Sequence, residues 1–450
     1  MTKPYSLEQY EQRYSVAGRW KLIAGKTDNL SQVVVIPAYA EKNLLFSTLV
    51  SLARNEPTSL DYSFVLCVVN CKQNSPPEVR NNNQLTLHYL QALVCKKGLG
   101  HLQLDRDLKE ILQLIADSGL RLGYVDASTE GSAIPAKEGG VGMARKLGMD
   151  MALCMLSKGT SPRKIICNLD ADTLVQSNYL AAVKQCFTGK AKAAVVAYEH
   201  QEPLIDEERA AIYCYEIFLR YWILGLKYTG SPYAFHSIGS TMICSTDAYL
   251  DVRGMNRREA GEDFYFLNKL KKIGDISYIK NTCVFPSARA SQRVPFGTGK
   301  RIQRFLNHEQ EEYLLYDPQI FEILAQWLRV MENSFYCNED DIMRQAVLIH
   351  PLLTSFLTDC GFLQAWKNIR RNVKNGASLR YHLHCWFDGF QTLKLINYLS
   401  REFYPPVNMF TAVRCILQMQ EMKAPDCVWA ADHPGLDRQK IIVQYLRHIT

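Results

Sequence analysis

Residues 33–37 read Val-Val-Val-Ile-Pro, a continuous β-branched run closed by a proline. A run without polar alternation suits a strand covered on both faces, as in the middle of a parallel sheet. Proline lacks the donor that would continue the ladder. The stretch that follows places Leu44, Leu45, Thr48, Leu49 and Leu52 at helical spacing, and residues 62–69 form a second apolar run that breaks at Asn70. Strand, helix and strand in that order commit the chain to a doubly wound sheet. The alternation continues through helices at 82–95 and 105–117, a strand at 120–125, a helix at 141–156 and an apolar strand from Ile165. Then come a strand at 193–198, a helix at 207–226, strands at 238–244 and 276–285, and between these a helix at 264–272. Beyond residue 301 the pattern is almost wholly helical, with Trp327, Trp366 and Trp386 as bulky anchors. The expected architecture is α/β, a mostly parallel sheet flanked by helices, followed by a mainly α-helical C-terminal domain. Its divisions are an N-terminal helical extension (1–32) whose polar helix at 6–20 serves packing or a lid, an α/β domain (33–304), and the helices of 305–450.

Composition excludes several classes. The chain of 450 residues is 47% hydrophobic and 22% charged, an ordinary globular balance. No apolar run reaches the ~18 residues of a spanning helix, and the most apolar candidate, 217–226, is interrupted by Arg220. The first residues lack the apolar core of a signal peptide, so the expected location is cytoplasmic. Fourteen cysteines are scattered without a Cys-x-x-Cys pair, which suits reduced, buried thiols. The net charge of +7 gathers partly in residues 289–304 and 367–380 without interleaved stacking aromatics, so nucleic acid is not an expected partner. The second stretch, with Trp366 beside it, suits either a solvated helix face or weak peripheral attachment to the anionic inner face of a membrane.

The apolar run from Ile165 ends in Asn168-Leu169-Asp170-Ala171-Asp172. If strand geometry persists, Asp170 and Asp172 point to one face and can share a ligand. Two carboxylates at a strand's carboxyl end suit Mg²⁺ or Mn²⁺, which bind through one or two carboxylates plus substrate phosphates. Ligands of open α/β sheets gather at that edge. A solvated start of a turn is the structural alternative.

Four stretches in this order, Val-Ile-Pro-x-Tyr-x-Glu (35–41), Gly-Gly-Val-Gly-x-Ala-Arg-x-x-Gly (139–148), Leu-Asp-Ala-Asp (169–172) and Gly-Glu-Asp (261–263), resemble the family 2 glycosyltransferases of GT-A fold. The resemblance covers residues 33 to about 285, and it implies a GT-A-like, Rossmann-type sheet. It also implies an inverting transfer from a nucleotide-sugar donor, UDP-, GDP- or similar, to an acceptor hydroxyl. The acceptor and the oligomeric state are unknown from sequence.

By resemblance, Pro37, Tyr39 and Glu41 meet the nucleotide, where an aromatic offers a stacking face and a carboxylate accepts from base or ribose. A core tyrosine and a charge at a helix start are the structural alternatives. Where the family ends its second strand in an aspartate, this chain has Asn70, which donates as well as accepts. Lys137 and Arg145 match basic positions near the donor, with surface charge as the alternative. Asp170 and Asp172 match the metal site, Asp172 being the direct ligand implied. Glu262 and Asp263 match the acidic pair that supplies the general base, Asp263 in particular, although acidic residues also complement a helix N-terminus. Gly297 and Gly299 within 289–304 suit either a loop closing over the pyrophosphate or an interdomain linker. This stretch holds Gln292-Arg293 without the tryptophan that follows in membrane-embedded processive synthases, and with no spanning segment the expected transfer is non-processive.

Two competitors share parts of this pattern. A sugar-phosphate nucleotidyltransferase also has a nucleotide-binding sheet with a carboxylate-held metal, but its first strand is followed by Gly-x-Gly-x-Arg, against Pro37-Ala38-Tyr39 here. A catalytically silent transferase-like scaffold does not need Asp170, Asp172 and Asp263 together.

Overall fold

The computed structural model describes residues 6–95, 99–101, 104–291, 297–429 and 432–450. These described residues form two compact units, one within 6–201 and 237–287, the other within 202–236, 288–291 and 297–450.

The first unit is built on a nine-stranded sheet: β1 (Leu22–Ala24), β2 (Gln32–Ala38), β3 (Ser63–Asn70), β4 (Leu122–Ala127), β5 (Ile165–Asn168), β6 (Leu174–Val175), β7 (Ala193–Tyr198), β8 (Met242–Ser245) and β9 (Ile276–Phe285). Their order is β1-β4-β3-β2-β5-β8-β7-β9-β6. Strands β4, β3, β2 and β5 run parallel, β8 is antiparallel to β5 and β7, and β7 and β9 are parallel. The mixed, mostly parallel α/β sheet expected from the sequence is present, with helices packed on it.

Both central strands are buried along their whole length, as runs without alternation require. Pro37 does not end β2, which continues to Ala38. The reason lies in the neighbour: β5 pairs with β2 only as far as Val35 opposite Asn168. Leu169 N–H donates to Val35 C=O at 3.0 Å, so by alternation Pro37 also faces that side, beyond the end of β5, where no ladder donor is needed. Gly148 lets the helix Val141–Ser157 lie close to this pair, since a Cβ there would sit 2.3 Å from Val35 Cγ1 and 2.9 Å from Val68 Cγ2.

The N-terminal extension is not one helix. It forms a helix at Leu7–Arg13, capped by Ser6 with Gln9 in a reciprocal box, and a short 3-10 turn at Ala17–Arg19. Residues 22–24 then add an antiparallel edge strand to β4. The helix is pinned by a fully buried carboxylate: Asp150 accepts from Tyr10 Oη at 2.6 Å, Tyr249 Oη at 2.7 Å and Val16 N–H at 2.8 Å, and pairs with Lys146 at 3.1 Å. That network makes this segment a packed part of the first unit, not a lid.

The second unit is helical, and it takes in the helix Asp206–Tyr228 as well as the helices after residue 297. Ile217, Tyr221 and Leu224 of that helix join Phe321, Trp327, Phe362 and Trp366 in one core. Gly225 permits the contact, because a Cβ would lie 2.3 Å from the Phe321 ring. Arg220, which interrupts the apolar stretch in the sequence, is 1% exposed, with Nε 3.3 Å from Glu216 and Nη1 donating to Thr450 Oγ1 at 2.9 Å. No helix among the described residues is long and apolar enough to cross a membrane.

Candidate active site

The carboxyl ends of β2, β3, β4 and β5 bring residues 39–41, 70–72, 126–128 and 169–172 to one edge of the sheet. Strand geometry stops at Asn168, and residues 170–173 form a turn closed by Thr173 N–H donating to Asp170 C=O at 3.1 Å. The condition for strand alternation to orient the two aspartates, that strand geometry persist through Asp172, is therefore not met, and the turn is the form they take. Side chains hold the turn instead. Thr48 Oγ1 donates to Ala171 C=O at 2.9 Å, and Gln201 Nε2 donates to Asp172 C=O at 2.9 Å.

Asp170 is tied to Arg145. The arginine comes from the first turns of the helix Val141–Ser157 and is 3% exposed. Its Nη2 donates to Asp170 Oδ1, and its Nε donates to Glu262 Oε1 at 3.0 Å. Ser240 Oγ takes the other oxygen of Asp170 at 2.5 Å. Burial would push the guanidinium's pKa down, but the charges of Asp170 and Glu262 outweigh it and the net direction is up. One buried cation thus joins the Asp170 turn to the acidic pair at 262–263.

Glu262 and Asp263 open the helix Glu262–Lys271, after Gly261 in the left-handed region at φ 68°. Burial raises the Glu262 carboxyl, against the pull of Arg145. Burial also raises Asp263, helped by the charge of Glu262 and opposed by its hydrogen bond from Phe264 N–H at 2.7 Å, so that its pKa is pushed up to about 7. A carboxylate poised near neutrality is suited to take a proton at working pH.

The glycine run ahead of Arg145 explains how this pair is placed. Gly140 has φ 120°, and a Cβ there would sit 2.7 Å from Glu259 Cα. At Gly142 a Cβ would meet Arg258 C=O at 2.3 Å, and its own N–H donates to that oxygen at 3.2 Å. The run receives the chain segment that leads into Glu262, so the dinucleotide-type use of such glycines has no place here.

The remaining expected residues are distributed as follows. Pro37 is buried in β2, Tyr39 is half-buried just past its end, and Glu41 is 7% exposed at the same edge. Asn70 ends β3 with the end of its side chain against the carbonyls of Val68 and Ala38, and only the amide orientation that turns its nitrogen toward them lets it donate, at 3.2 Å to Val68 C=O and 3.3 Å to Ala38 C=O. In that orientation Asn70 ties the ends of β2 and β3 together, which the acceptor-only carboxylate of an aspartate could not do. Lys137 is exposed in the loop before the glycines. In the basic stretch at 289–304, Gln292-Arg293 lies outside the described residues. Residues 298–306 are a helix whose Arg301 and Arg304 pair with Glu312 at 2.8 and 2.6 Å, which commits both cations. Trp366 is 2% exposed within the helical core, so it cannot serve as an interfacial anchor for the 367–380 stretch. Ser240, Gly239 and Thr173 belong to the site without any motif to mark them.

For a divalent ion the protein offers little on its own. Among the described residues no three His, Cys, Asp or Glu side chains are grouped to hold one, and both oxygens of Asp170 already accept hydrogen bonds. The donor set fits an ion carried chiefly by substrate phosphates, with Asp172, half-buried on the turn, as the protein's carboxylate.

No family model matches the sequence, and no curated protein matches it. Solved structures with similarity include TarS residues 1–349 from S. aureus in complex with UDP-GlcNAc, at 12% identity over 80% of this chain and 91% of that one, TM-score 0.36. The same protein with UDP gives 12% identity over 83% and 92%, TM-score 0.35. A mannosyltransferase, PcManGT from Pyrobaculum calidifontis, in complex with GDP-Man and Mn²⁺ gives 11% over 91% and 92%, TM-score 0.35. At these values the functional reading rests on the site's own residues.

Proposed function

We propose that the chain is an inverting glycosyltransferase that moves a sugar from a nucleotide-sugar to an acceptor hydroxyl. The observation that supports this reading is that buried Arg145 bonds both to Asp170 and to Glu262, beside an Asp263 whose pKa is pushed up to about 7. In the reaction the acceptor oxygen bonds to the anomeric carbon as the bond from that carbon to the donor phosphate breaks. The acceptor's proton passes to Asp263, and the nucleoside diphosphate leaves with the electron pair. Arg145 holds Glu262 beside Asp263 and fixes the turn against which the diphosphate lies. A Mg²⁺ or Mn²⁺ ion held through Asp172 would supply charge neutralisation for that leaving group. Tyr39 and Glu41 provide a face and an acceptor for the nucleoside.

The test is binding of UDP and GDP with Mn²⁺, followed by thermal stabilisation. The wild type should be stabilised by one of the two only when the ion is present, and Asp172→Asn should lose that dependence. Equal ion-dependent stabilisation of the variant would remove Asp172 from the site.

A further inference from the structure

The 3-10 turn Gly239–Thr241, which leads into β8, touches two members of the site from a side that no motif marks. Ser240 is fully buried. Its hydroxyl contacts Asp170 Oδ2 at 2.5 Å and Thr173 Oγ1 at 2.9 Å, so it links both ends of the 170–173 turn. Gly239 lies against the guanidinium: a Cβ there would be 2.1 Å from Arg145 Nη2 and 2.9 Å from Cζ. Arg145 has no freedom to withdraw, since Glu262 holds Nε and Asp170 holds Nη2. Its Nη1 is buried with no hydrogen-bond partner among the described residues, which leaves that nitrogen's N–H groups in reserve for an oxygen from water or substrate.

Resting on the glycosyl-transfer reading, we propose that Gly239 and Ser240 are positioning residues that set the Arg145–Asp170 contact. Ser240 fixes the carboxylate so that its other oxygen faces the guanidinium. Gly239 leaves the guanidinium the space to span from Asp170 to Glu262. Neither residue touches the reacting atoms on this account, and both act through Arg145.

Ser240→Ala is the direct test, read by nucleotide-sugar turnover and by thermal unfolding. Loss of the hydroxyl should lower kcat/KM by about 10–100-fold, the usual cost of removing a residue that orients a site group. Ser240→Thr, which keeps the hydroxyl, should recover most of that loss. In the double variant with Arg145→Gln, the loss in melting temperature should be smaller than the sum of the two single-variant losses, because both substitutions break one network. A turnover unchanged in Ser240→Ala, or strictly additive melting losses, would overturn the inference. Wild-type protein that turns over no nucleotide-sugar would instead defeat the reading of function, and the melting cycle alone would then decide whether Ser240 and Arg145 act as one unit. Gly239→Ala supplies a second variant: it should weaken turnover as Arg145→Gln does, and a Gly239→Ala protein with wild-type turnover would likewise count against the inference.

Discussion

Asp263→Asn should leave donor affinity nearly intact and lower transfer by about 100-fold or more, the scale of a positioned proton acceptor. Asparagine matches the shape of aspartate and can keep the bond from Phe264 N–H, but it cannot take the acceptor's proton. The wild-type pH profile carries the same signature. Because burial and the charge of Glu262 push Asp263 up to about 7, wild-type transfer should fall as pH drops through that value and the base becomes protonated. Stability should run the other way. A carboxyl whose folded pKa lies above its unfolded value of about 4 favours the folded state below that value, and the contribution is lost as pH rises through the folded pKa. Asp263→Asn removes this term, so the variant should be more heat-stable than wild type at pH 8 and level with it at pH 4. A collapse of donor affinity with turnover retained would make Asp263 a donor-binding or structural residue.

Arg145→Gln should cost about 3–5 kcal/mol of stability at neutral pH, the scale for removing one partner of a buried ion pair. The arginine is 3% exposed between two carboxylates, of which Glu262 is also buried and Asp170 is partly open to solvent. Without it, Glu262 is left buried without its cation, and its already raised pKa should rise further. The deficit is therefore greatest above the folded pKa of Glu262 and shrinks as pH falls toward the unfolded value, where the carboxyl is neutral in both states. Urea midpoints at pH 8 and pH 4.5 read this directly. An equal deficit at both would assign the loss to packing alone.

The sequence made the central strands legible because Val33–Ile36 and residues 63–69 are continuous apolar runs whose burial on both faces leaves one reading. The helix at 141–157 and the acidic start of the helix at 262 were legible for a similar reason: a glycine precedes each. Strands of two or three residues, β1 and β6, carry no periodicity and could not be read. The Asp170–Asp172 pair stands out in the sequence, but the choice between strand and turn there was not legible, since the turn at 170–173 depends on Thr48 and Gln201, which are remote in the chain. Ser240 and Asp150 were invisible for the same reason. Their roles come from partners 70 and up to 140 residues away, and no local pattern records such pairings. The glycines at 140 and 142 were noticed, but their purpose became clear only with the segment that they receive.

Cleavage of a nucleotide-sugar at the anomeric carbon is tested most directly by its product. Wild-type protein with Mn²⁺ and a panel of UDP- and GDP-sugars should release nucleoside diphosphate from at least one donor, to water or to an added acceptor, and Asp172→Asn should not. Release of pyrophosphate from a nucleoside triphosphate and a sugar 1-phosphate, with no nucleoside diphosphate formed from any donor, would contradict it and make the chain a nucleotidyltransferase.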